Sequence, residues 1–362
     1  MLVSELTGSV SRLALVGLAK NTGKTETLAA LLRELEEEGR RIGVTSVGRD
    51  GEEHDVIDTR IEKPRVRLPA DSLVATTDGL LSASGIAHNL LENTGVRTPL
   101  GPVLIARLKA PGTIEVAGPS AAADVRAVSD AMLGHGAEQV LIDGAIDRRA
   151  ASSPAVTDGL LMSTGAVLSE DLQEVVSRTR DAVELVRLPQ LEDPRLRALA
   201  ERAQAGGHAS AAVSQAASVL VSSDYQPVEL APRFVLRSDA EQIAAALGAN
   251  ATARWLIVHG ALPEPFLSAL LRARRARDGD FGVVVADSTR VFLSERGPEW
   301  YRRQGLEIHA LEPIALKALT VNPVAPQSHR FDSAELRELL AREISGLPVF
   351  DVLDPGYLAL AA

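Results

Sequence analysis

Residues 17–25, GLAKNTGKT, put two glycines, two lysines and two threonines into one short loop. These residue types hold phosphate and magnesium: successive backbone N–H groups and a lysine take the oxyanions, and a hydroxyl takes the metal. On this chemistry Gly17, Lys20, Asn21, Thr22, Gly23, Lys24, Thr25 and Thr27 are candidate contacts, with Lys24 reaching the outer phosphates and Thr25 ligating Mg2+. The spacing departs from G-x-x-x-x-G-K-[ST], because Leu18 stands where its first glycine belongs and Gly17 comes one residue early. Only five of the 38 basic residues are lysine, and two of the five fall in this loop. A compact ammonium is thus used where a planar guanidinium serves badly.

A phosphate–magnesium site also needs a carboxylate at a strand end. Asp143 in VLIDG meets that need, since four apolar residues before an acid describe a buried strand delivering charge to a sheet edge. Asp50 and Asp55 in GRDGEEHD are candidates to position an attacking water or touch the metal, and an ordinary acidic turn explains them equally well. Lys24, Asp50 and Asp143 form the candidate catalytic set; Thr25 and Asp143 form the metal set.

The elements that must position these residues follow from pattern. RLALVGL (12–18) reads as a buried strand, 24–38 as an amphipathic helix with Leu28, Leu31, Leu32 and Leu35 on one face and Gly39 as its cap, and 41–47 as another strand. Strand, loop, helix and strand imply a parallel sheet. Alternation continues through 140–146, 255–260, 281–288, 306–312 and 318–323. The expected fold class is α/β, a mostly parallel central sheet flanked by helices in the manner of P-loop NTPases, with an α/β C-terminal half. The small, polar stretch 203–217 sets an expected boundary between a nucleotide-binding domain (1–205) and an α/β region (206–362), packed on or continuing the same sheet. TDGLLSASG (77–85) and TDGLLMSTG (157–165) echo each other, which chance or a shared turn preference explains better than a duplicated ligand-contacting turn. Residues 143–169 are rich in hydroxyls and charges, an expected place for binding or switching.

The loop resembles GTDTxVGKT of dethiobiotin synthetase, and KNTGKT is similar to the KNSGKT loop of molybdopterin-guanine dinucleotide biosynthesis adaptors. Both belong to the class of P-loop proteins containing the nitrogenase iron protein and MinD-type ATPases. MinD-type ATPases carry a second lysine five residues before the loop lysine; here that position is Ala19, and Lys20 stands one place later. TVNPVAP (320–326) resembles the strand-end segment with which dethiobiotin synthetase-like proteins contact adenine, which implies Asn322 as a base contact; a plain Asn-Pro turn is the alternative. With GVTSVGRDGE (43–52), KPRVRLP (63–69) and 143–169, the chain resembles the reactivase subunits of lysine 5,6-aminomutase. That resemblance implies a Mg-ATP-driven activator or reactivase, releasing damaged cobalamin from a partner enzyme, and leaves a homodimer open. No [NT]KxD motif occurs, which favours ATP and leaves GTP open. The alternative is an ATP-dependent small-molecule ligase or kinase of the dethiobiotin synthetase type, its substrate against Arg148, Arg149, Ser152 and Ser153. A regulatory module that binds nucleotide without turnover is a third reading.

Composition narrows the classes. A net charge of −10 opposes nucleic acid and anionic lipid. Absence of cysteine removes disulfides and thiolate chemistry. His54, His135, His259 and His309 lack metal-ligand spacing. No apolar run reaches the roughly 20 residues of a membrane helix, and no basic-then-apolar leader precedes the loop, so a cytoplasmic protein is expected.

Overall fold

The computed structural model describes residues 2–48, 65–144, 152–205, 218–231, 234–274, 279–326 and 328–360. A short helix, α1 (Val3–Thr7), precedes the unit read from the sequence: β1 (Arg12–Gly17), α2 (Lys24–Glu37) and β2 (Ile42–Ser46). Beyond Arg12 both strands are wholly buried, as parallel strands covered on both faces must be. α2 buries Leu28, Leu31, Leu32 and Leu35. It stops where Gly39 takes φ +67°, with the Gly39 amide donating to Glu36 O and Arg40 N to Leu35 O, a pair of bonds that closes the last helical turn.

The chain continues through β3 (Val66–Leu68), β4 (Leu73–Thr77), α3 (Asp78–Ala83), β5 (His88–Thr98), β6 (Gly101–Leu108), β7 (Gly112–Ile114), α4 (Ala122–Gly134), β8 (Gln139–Asp143), β9 (Gly159–Gly165) and α5 (Leu172–Val186). α6 (Pro194–Ala205), β10 (Val219–Ser222), β11 (Pro227–Glu229), α7 (Phe234–Arg237), α8 (Ala240–Ala249), β12 (Ala253–Ile257), β13 (Leu262–Pro263), α9 (Glu264–Arg274), β14 (Phe281–Val285), β15 (Val291–Phe292), α10 (Pro298–Arg303) and β16 (Leu306–Ala310) follow. β17 (Leu316–Asn322), α11 (Ser333–Glu343), β18 (Val349–Phe350) and α12 (Pro355–Leu360) complete it. The chain is α/β, and it divides into two units: Met1–Arg180 with Ala315–Ala362, and Asp181–Ile314. The division therefore lies inside α5 rather than near 205, and the last stretch of chain belongs to the first unit, because β17 pairs with β9 and β18 with β17.

The first unit holds a nine-stranded sheet in the order β18-β17-β9-β1-β8-β2-β4-β6-β5. Every pairing from β18 to β4 is parallel; β6 runs antiparallel to β4, and β5 to β6. Helices cover both faces. Leu13, Leu15, Val44 and Leu141 cluster with the α2 leucines, while a Cβ at Gly43 would meet Met132 of α4 and Val140 at 2.9 and 3.1 Å; the two sets alternate along each strand. α1 and α12 close on α2 through the buried carboxylate of Glu34, which accepts from Ser4 N (2.8 Å) and from the Tyr357 hydroxyl.

The two echoing segments differ in structure. Residues 78–83 are helix, whereas Gly159–Gly165 is a fully buried strand between β1 and β17. Much of the hydroxyl content of 143–169 is thus core: Ser163 and Thr164 face Thr27, Thr320 and Thr179 at 2.7–3.3 Å.

The second unit has a five-stranded sheet, β11-β10-β12-β14-β16, in which β12, β14 and β16 are parallel and β10 and β11 antiparallel. Arg274, at the end of α9, is buried, donates to Gly305 O and lies over the Phe281 ring. Glu264 opens α9 from a buried position and accepts from the amides of Ser294, Glu295 and Arg296 and from the Ser294 hydroxyl at 2.7–3.0 Å. Burial alone would raise its pKa, but these donors outweigh it and hold the carboxyl below its usual range. A folded pKa below the unfolded value of about 4.3 contributes stability above that pH and loses it as pH falls through the folded pKa. Both tryptophans, Trp255 and Trp300, lie in this unit, so their fluorescence reports its acid unfolding. Glu264→Gln is expected to lower stability at neutral pH by about 1–3 kcal/mol and to flatten the acid limb; an unchanged limb would remove this carboxylate from the account. No described helix is long and apolar enough to cross a membrane.

Candidate functional site

The carboxyl edge of the large sheet can be followed from strand to strand. Ser46 of β2 is in register with Asp143 of β8, Asp143 with Leu15 of β1, Gly17 with Ser163 of β9, and Gly165 with Asn322 of β17. Neighbouring strands are about 4.8 Å apart, so five strand ends converge around the loop after β1. From β1 the chain crosses to β2 on one side, and from β8 it returns across β1 to β9 on the other. Such a reversal is where a sheet of this kind leaves a crevice for ligand.

The loop folds back over its own strand. Leu18 N donates to Ser163 O at 2.9 Å, and the buried Thr22 hydroxyl donates to Ala19 O at 2.9 Å. A Cβ on Gly17 would lie 2.4 Å from Thr22 Oγ1. The position without room for a side chain is therefore 17, one earlier than the regular spacing expects, and Leu18 is accommodated. Asn21 and Gly23 have φ of +67° and +89°, the second being a conformation glycine adopts without penalty. α2 starts directly at Lys24 with no side chain capping its first turn, which leaves its N-terminal amides and dipole facing the loop.

Lys24 Nζ stands 2.7 Å from Asp143 Oδ1, an ion pair not aligned as a hydrogen bond, and donates to Gly144 O at 2.7 Å. Both side chains retain about a quarter of their exposure, although Asp143 Oδ1 itself is shut from solvent. Thr25 is half-buried in the first helical turn, and Lys20 is exposed. Beneath the loop, Thr27 Oγ1 lies 3.1 Å from Gly23 O, 3.3 Å from Ser163 Oγ and 2.7 Å from Thr320 Oγ1. These buried hydroxyls tie α2 to β9 and β17. Sequence reading passed over Ser163 and Thr320; the available signal was a hydroxyl inside each of two otherwise apolar strands.

Asn322 Nδ2 donates to Asn21 O at 2.9 Å, and its Oδ1 accepts from Val324 N at 3.1 Å. Both polar atoms are engaged within the chain, so Asn322 acts as a strut for the loop's left-handed residue. Asn322→Ala removes both bonds; loss of the one to the loop, worth about 1 kcal/mol, is expected to weaken a phosphate ligand of the loop about fivefold, read by calorimetric titration. Unchanged affinity would show that the loop holds its shape unaided.

Asp50, Asp55, Arg148 and Arg149 lie outside the described residues. Ser152 and Ser153 are described and buried. No protein-family model, curated protein or solved structure matches the chain. What the site can hold is therefore defined by its own chemistry. Among the described residues no group of three or more His, Asp or Glu could cage a metal. Mg2+ needs no such cage, since it keeps waters and takes one or two protein oxygens beside phosphate. Thr25 and Asp143 are the oxygen donors that suit it.

Proposed function

We propose that the chain binds a nucleoside triphosphate with Mg2+ in a P-loop formed by residues 17–25, and that hydrolysis drives its action on a protein partner. The observation that supports this reading is the meeting, 2.7 Å apart, of Lys24 at the uncapped start of α2 with Asp143 at the end of β8, the parallel neighbour of β1. Each has an alternative partner in the proposed complex. In that complex Lys24 would leave Asp143 and Gly144 O for the β- and γ-phosphates, and Thr25 and Asp143 would be the residues that hold the metal. Mg2+ would supply neutralisation of phosphate charge. Loop amides and the α2 dipole contribute a preorganised anion site that needs little rearrangement.

The absence of [NT]KxD favours ATP over GTP. The role as activator or reactivase, with lysine 5,6-aminomutase as partner, rests on the sequence resemblance. Titration with Mg-ATP and Mg-GTP, followed by phosphate release with and without the mutase and cobalamin, tests the two parts separately. Binding of neither nucleotide would sink the central reading. Binding with turnover stimulated by a small carboxylate metabolite, and not by the mutase, would replace the reactivase role with that of a ligase or kinase.

A further inference from the structure

At the start of α11 the first unit contains a cavity of about 520 Å³ lined by Arg330, Phe331, Asp332, Ser333, Arg337 and Asp354. Two of these side chains are occupied by the fold. Asp332 caps α11 by accepting from Glu335 N at 2.9 Å, and Ser333 Oγ donates to Asp351 Oδ2 at 2.5 Å. The charged remainder is unused: among the described residues Arg330, Arg337 and Asp354 form no side-chain ion pair or hydrogen bond, and Arg337 Nε is shut from solvent without a partner. In a chain with 48 acidic and 38 basic residues, arginines readily find carboxylates, as Arg12, Arg126, Arg197 and Arg302 do.

Two guanidiniums and two carboxylates thus line a single pocket; Asp332 is engaged as the helix cap, while Arg330, Arg337 and Asp354 do not neutralise one another. A simple anion would satisfy the arginines but meet Asp354, and a simple cation the reverse. The complement is a small molecule carrying both signs. We infer that this cavity binds a zwitterion of the α-amino acid class, its carboxylate taken by Arg330 and Arg337 through charge-assisted hydrogen bonds and its ammonium by Asp354, with Phe331 beside the side chain. The pocket is open to solvent and large enough to admit an amino acid. Since α11 and the 351–354 turn follow β17 and β18, the cavity lies on the same sheet edge as Lys24. The inference does not rest on the nucleotide reading.

The test uses the full, nucleotide-free chain in thermal-shift and calorimetric titrations with each common amino acid, and with inorganic phosphate, at about 10 mM. At least one amino acid should stabilise the chain saturably, while its N-acetyl and carboxamide derivatives should not. Arg337→Gln and Asp354→Asn should each weaken it about tenfold or more, with exposed Arg330→Gln as the variant least able to disturb folding. No stabilisation by any amino acid would overturn the inference. So would binding indifferent to all three substitutions, or phosphate binding that needs both arginines and ignores Asp354.

Discussion

Lys24→Ala is expected to weaken Mg-ATP binding about 100-fold while leaving the fold nearly unchanged. A lysine that meets phosphate oxygens makes charge-assisted bonds, and losing them costs about 3 kcal/mol, where each 1.4 kcal/mol is a factor of ten. The folded chain loses less. Its Lys24–Asp143 pair is partly exposed, and such pairs contribute about 1 kcal/mol or less. Lys24→Arg should not rescue, because the planar fork cannot reproduce a point charge within a tight loop. Lys20→Ala, at an exposed position, should have the smaller effect. Calorimetric titration beside thermal unfolding separates the outcomes. Equal affinity in wild type and Lys24→Ala would mean that the loop is a structural turn.

Gly165→Ala should damage stability and site together. Gly165 is extended, with φ of 169°, so backbone conformation is no obstacle to alanine. Space is the obstacle: a Cβ there would lie 2.2 Å from Asn322 O and 3.1 Å from Asn322 Cβ. A backbone oxygen cannot rotate aside as a side chain does, so the ends of β9 and β17 must part. Overpacking of this kind costs about 1–3 kcal/mol, sometimes more. Parting them also draws Asn322 from Asn21 O. The expected result is an earlier urea transition by circular dichroism, without an equal change in the tryptophan fluorescence of the second unit, and nucleotide affinity lowered beyond that of Asn322→Ala. If both measurements match wild type, the β9–β17 contact yields more easily than its distance implies.

The candidate site was largely legible because its signals are local. Glycines where the chain turns tightly, a lysine at the head of a leucine-striped helix and an acid ending VLID all occur within short windows. The strut and the hydroxyl cluster were not legible in the same way. Asn322 and Asn21 are 301 positions apart, and Thr27 and Thr320 are 293. Asn-Pro after a strand supports a turn as readily as a contact. Nor did periodicity mark β5: as an edge strand burying little on either face, HNLLENTGVRT has no apolar alternation to read.

Local pattern was sufficient for the α/β class, the unit from β1 to β2 and the placement of Lys24 and Asp143 at a sheet edge, because burial on both faces demands apolar runs and a helix on a sheet demands a leucine stripe. Tertiary packing settled the rest. TDGLL becomes helix after β4 and core strand beside β1, since only the second copy has parallel neighbours on both sides to take its backbone hydrogen bonds. Residues 315–362 return to the first sheet across an intervening unit because β9 offers an open edge for β17, a pairing between strands about 150 residues apart that no local window contains.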